Sequence, residues 1–63
     1  MPSKFERFAA QEFDRDQLDR LTEAEEDVLR TRRRCGLEAT CQRLHRSRSA
    51  VSRAQQSIMQ KLG

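Results

Sequence analysis

The nine residues His45 to Arg53, HRSRSAVSR, set three arginines, one histidine and three serines around a single small apolar step, Ala50 and Val51. Guanidinium groups donate paired hydrogen bonds to planar or anionic acceptors, and serine hydroxyls both donate and accept. The chemistry this stretch offers is recognition rather than bond making. Cys35, Cys41 and His45 bring thiolate and imidazole, which suit zinc, but a tetrahedral site needs a fourth ligand and none is at hand. His45 is the only histidine, no glycine-rich phosphate loop occurs, and the carboxylates cluster where helices begin. The expectation is a chain without catalytic residues, metal ligands or cofactor.

Positioning such a cluster is the work of the rest of the chain. At 63 residues it is one domain, near the size at which a single core barely suffices, so association between copies is expected. Only 35% of the residues are hydrophobic, and Phe5, Phe8 and Phe13 all fall at the start, so the later core must come from aliphatic residues, Met and Cys. One proline and two glycines leave almost none of the punctuation that a β fold requires. The fold class is therefore all-α, a small bundle of four helices, with residues 1–21 a helical extension and residues 22–63 the main unit.

The spacing places these helices. Ser3 and Glu6 have capping-box spacing, and a first helix is predicted to run to about Phe13 or Asp14 with Phe5, Phe8, Ala9 and Phe13 on one broad face. That face packs on the body of its own domain or forms a dimer interface. Asp16 can cap a short turn carrying Leu18 and Leu21. Thr22 and Glu25 repeat the capping-box spacing, with Glu23, Glu25, Glu26 and Asp27 at the positive end of a helix dipole and Arg30 and Arg32 to Arg34 at its negative end. That helix is predicted over about Glu23 to Arg34, with Ala24, Val28 and Leu29 buried and Gly36 as a left-handed C-cap. A short helix from Leu37 or Glu38 to Leu44 turns Ala39 or Thr40, Cys41 and Leu44 inward. The last begins after Ser47, a natural N-cap, and reaches about Leu62 with a stripe of Val51, Ala54, Ile58 and Leu62.

Charge divides the chain. Residues 1–27 hold four Lys/Arg against nine Asp/Glu, a balance of −5, and residues 28–63 hold nine against one, a balance of +8. Acidic residues that merely neutralise the basic half would give no reason for arginine to dominate over lysine; a polyanionic partner does.

A short helix, a turn of three or four residues and a second helix make a helix-turn-helix, whose second helix enters the major groove of DNA by its front end. Cys41 supplies the small residue at the crossing, Leu44 the apolar residue before the turn, and Val51 and Ile58 the inner side of the second helix. Arg48, Ser49, Ser52 and Arg53 then face outward as base readers, arginine being the commonest reader of guanine. Arg33, Arg34, Arg43, Arg46 and Ser47, with Arg32 and Lys61 flanking, are expected at phosphates.

The run LEATCQRLHRSRSAVSRAQQSIMQKLG, 27 of the 63 residues, resembles the helix-turn-helix of LysR-type transcriptional regulators. In that family an alanine-rich helix precedes Leu-His-x-Ser and an Ala-Val-Ser-Arg helix ending in Leu-Gly. Leu44, His45, Ser47, Ser49, Ala50, Val51, Ser52, Arg53, Leu62 and Gly63 match as they stand. Arg46 departs, standing where the family has Val or Ile, and no wing or effector domain is expected with this unit. Upstream, LTEAEEDVLR resembles the opening of the LuxR-type domain and of the sigma-factor region that binds a promoter element.

These likenesses imply a compact repressor of the phage or plasmid kind, cytoplasmic, without a small-molecule effector domain. It would bind double-stranded DNA as a homodimer, with two recognition helices ~34 Å apart on an inverted repeat. The rival reading is a small helical interaction protein whose basic face meets and inhibits an acidic regulatory protein. No apolar run approaches the ~20 residues that span a bilayer, and no charged-then-apolar leader opens the chain, so a soluble protein is expected.

Overall fold

A computed structural model describes residues 3–63. Its helices are α1 (Lys4–Ala9), α2 (Arg15–Leu18), α3 (Glu23–Arg34), α4 (Leu37–Leu44) and α5 (Arg48–Leu62), with no strand among the described residues. The fold is an all-α small helical bundle. The four predicted helices are all present, and the turn expected around Leu18 is a fifth, one-turn helix.

Local chemistry sets most of the boundaries. The Thr22 hydroxyl accepts from Glu25 N at 3.2 Å while Glu25 Oε1 accepts from Thr22 N at 2.9 Å, the full capping box. Ser47 begins α5 in the same way, its Oγ accepting from Ala50 N at 3.2 Å. Ser3 Oγ accepts from Glu6 N at 3.2 Å, but the Glu6 carboxylate turns away to Arg32 instead of closing the box.

Three expectations about boundaries are corrected. First, α1 stops at Ala9, one turn short of Phe13. The Ala9 carbonyl, which a continuing helix would need for Phe13 N, accepts Arg33 Nε at 2.8 Å, and the Gln11 carbonyl accepts Arg33 Nη2 at 2.7 Å. Second, Asp14 rather than Asp16 precedes α2; its N–H donates to Gln17 Oε1 at 2.9 Å. Third, Gly36 is not left-handed. With φ −71° and ψ 176° it is the extended N-cap of α4, and the left-handed residue is His45, φ 54°, at the end of α4. Arg46 N reaches back to the Cys41 carbonyl there at 3.0 Å and closes the helix end.

Gly36 provides no side chain to cap α4, and a Cβ on it would meet nothing. Gly36→Ser should therefore stabilise the fold by about 0.5–1 kcal/mol, through a new cap and a less flexible unfolded chain. Urea midpoints check this; a lower midpoint would contradict the N-cap assignment.

The core gathers Phe5, Ala9, Leu21, Val28, Leu29, Val51, Ile58 and Leu62. Central α3 packs against α1, α4 and α5, and α4 also packs against α5, so the last three helices form a three-helix unit with α1 and α2 laid on it. Val51 and Ile58 have no exposed surface, as their place in the stripe requires. In α4, of the two alternatives Ala39 and Thr40, it is Thr40 that is fully buried, its hydroxyl donating to the Gly36 carbonyl at 2.9 Å; Cys41 and Leu44 also turn inward and pack, half-buried, against the core.

The aromatic face of α1 serves its own domain. Phe5 is only 4% exposed, and the rings run in series, Phe5 to Phe8 at 6.3 Å and Phe8 to Phe13 at 5.3 Å. Phe5 is thereby removed from the expected dimer interface, because a side chain that fills its own core has no surface left for a partner; Phe8 and Phe13 are half-buried against the same core. No helix among the described residues is long and apolar enough to cross a membrane.

Candidate nucleic-acid interface

The turn His45 to Ser47 joins α4 to α5 and delivers α5 with Val51 inward. At 3.6 residues per turn, a buried Val51 puts the residues two behind and two ahead on the outer side. Ser49 and Arg53 are exposed there, Arg48 is exposed at the first helical position, and Ser52 is half-buried. The same stripe continues to Gln56 and Gln60, both exposed. Gln56 was not among the expected base readers. The signal was available, since Ser49, Arg53 and Gln56 follow the i, i+4, i+7 spacing of one helix face, and glutamine is a bidentate reader of adenine.

Several of the expected phosphate-binding residues are also exposed. Arg46 and Ser47 are exposed in the turn, Arg43 is exposed in the last turn of α4, and Arg34 is exposed at the end of α3 beside Gly36. Ser47 Oγ accepts as the α5 cap, which fixes the front of that helix and leaves its O–H free to donate.

Three cations expected at phosphates are engaged elsewhere. Arg32 is buried, with Nε on Gln55 Oε1 at 2.8 Å, Nη1 on the Cys35 carbonyl at 3.2 Å and Nη2 on Glu6 Oε1 at 3.3 Å. Arg33 donates to the Ala9 and Gln11 carbonyls through Nε and Nη2 and lies over the Phe13 ring at 5.7 Å, and it stays exposed with donors to spare. Lys61 Nζ sits 2.6 Å from Glu25 Oε1. These three join the later helices to the earlier part of the chain, while Arg34, Arg43, Arg46, Arg48 and Arg53 are exposed from the end of α3 to the front of α5.

One carboxylate stands on that face. Glu38 Oε1 accepts from Arg48 Nη2 at 3.3 Å, linking the first turns of α4 and α5. Cys35 ends α3 and Cys41 lies in α4, both half-buried free thiols, and among the described residues no three His, Cys, Asp or Glu side chains converge as a metal site would require. No buried side-chain nitrogen or oxygen among the described residues lacks a partner. No protein-family model, curated protein or solved structure matches the chain.

Proposed function

We propose that this chain is a sequence-specific double-stranded DNA-binding protein that regulates transcription, acting in the cytoplasm as a small homodimeric repressor of the phage or plasmid kind, and not as an enzyme. The observation that carries the reading is the front of α5. Val51 is fully buried while Arg48, Ser49 and Arg53 stand exposed directly after a three-residue turn, which is the disposition a groove-reading helix needs. The cations on either side would hold phosphates and set the register, and Ser49, Arg53 and Gln56 would meet base edges along with Arg48. Repression follows from occlusion of polymerase, and two copies would read an inverted repeat.

Two substitutions test the division of labour. Arg48→Ala should lose about 1–3 kcal/mol on the selected sequence and relax preference at one base pair. Arg46→Ala should weaken every duplex alike and lower the salt slope by about one. Selection from random DNA followed by titration over a range of salt reads both. Identical behaviour of the two variants on selected and random duplexes would refute the assignment. A wild-type chain that forms no DNA complex at moderate salt, yet binds an acidic protein, would favour the interaction-protein reading instead.

A further inference from the structure

Glu38 is the sole acidic residue from Val28 to Gly63, against nine arginines and lysines, and its carboxylate lies on Arg48. The two side chains are 78% and 68% exposed. An ion pair this open to water contributes between nothing and about 1 kcal/mol to folding, and a first-turn carboxylate gains a similarly small amount from the helix dipole. Against those gains, a carboxylate on a face that approaches a polyanion repels every phosphate backbone, whatever its sequence. On a face that meets DNA, those small gains stand against a cost in affinity.

We infer that Glu38 is a specificity-determining residue that positions Arg48 for a guanine and disfavours DNA lacking one; the inference rests on the DNA-binding reading above. The contact occupies one of the five N–H donors of the guanidinium and leaves enough for the O6 and N7 acceptors of guanine. The Glu38 carboxylate biases the long Arg48 side chain towards α4 without fixing it, and the contact strengthens as DNA displaces water from this face. Repulsion by Glu38 lowers affinity for all duplexes, and Arg48 restores it only where its base is present. That difference is discrimination obtained partly through an unfavourable contact.

The test compares wild type, Glu38→Gln and Glu26→Gln on three duplexes: one selected by wild type, one with the guanine that Arg48→Ala ceases to prefer changed to adenine, and one of random sequence. Glu26 pairs with Arg30 at 3.7 Å on α3, so its variant removes the same charge away from the α4–α5 front. Glu38→Gln should bind random DNA roughly threefold more tightly and lose about tenfold of the ratio between selected and substituted duplexes. Glu26→Gln should keep that ratio, and thermal melts of both variants should stay close to wild type. If Glu38→Gln keeps the ratio on DNA that wild type binds, or if Arg48→Ala loses no guanine preference, the inference is overturned and DNA binding stands. If wild type forms no salt-dependent DNA complex, the functional reading itself fails.

Discussion

Arg32→Ala is expected to destabilise the domain by about 2–4 kcal/mol, a large share of what a single core of this size supplies. The side chain is only 4% exposed, and its guanidinium reaches three elements at once. It donates to Gln55 on α5, to the Cys35 carbonyl at the end of α3 and to Glu6 on α1, with its carbon 5.7 Å from the Phe5 ring centre. Truncation leaves a void and strips the Gln55 and Cys35 oxygens of their donor in a place where water replaces it poorly. Arg32→Lys should rescue little, because one ammonium cannot meet acceptors spread over a planar fork. Arg32→Met should recover part of the loss by restoring volume. Urea unfolding followed by circular dichroism measures all three. Stability of Arg32→Ala within about 0.5 kcal/mol of wild type would show that the network adds nothing. Since Gln55 lies on the proposed recognition helix, the same variant should lose DNA affinity in step with its folded fraction.

Acid should weaken the fold through Glu25. Burial by itself would raise this carboxyl, but hydrogen bonds from Lys61, Ser57 and Thr22 outweigh it and hold the pKa at about 2, below the ordinary 4.5. A carboxylate depressed in the folded state stabilises at pH values above its unfolded pKa, and that contribution disappears as pH falls from about 4.5 towards 2. At full value the displacement corresponds to about 3 kcal/mol, and solvent around Lys61, 37% exposed, reduces it to about 2 kcal/mol. Glu25→Gln should therefore be less stable than wild type at pH 7 and nearly equal to it at pH 2. Other carboxylates titrate in the same window, so the difference between the two proteins is the quantity to follow. A constant difference from pH 7 to pH 2 would mean that Glu25 carries no such linkage.

Both predictions concern side chains whose sequence context suggests something else. Arg32 reads as one of a run of helix-end cations available to DNA, and Glu25 reads as half of a capping box and a charge at the start of its helix. The second assignment is correct and incomplete: Glu25 does cap Thr22, and it also holds Lys61 from the far end of the chain. The front of α5 was far more legible. Ser47 as N-cap, Val51 and Ile58 inside, and Arg48, Ser49 and Arg53 outside all follow from one helical period anchored by one capping residue.

By itself the sequence determined the all-helical class, the starts of α3 and α5, the aliphatic stripe and the separation of charge along the chain. These depend on interactions within about four residues, where side-chain type and spacing suffice. Only the tertiary structure decided which charged groups are free to act. Arg32 meets Glu6 across 26 positions, Arg33 meets Ala9 across 24 and Lys61 meets Glu25 across 36. It also gave the last carbonyl of α1 to Arg33 where that helix ends early, and turned Phe5 into its own core. The physical reason is common to all of these. A guanidinium, ammonium or carbonyl takes whichever partner the fold brings within about 3 Å, and local periodicity does not specify what stands opposite.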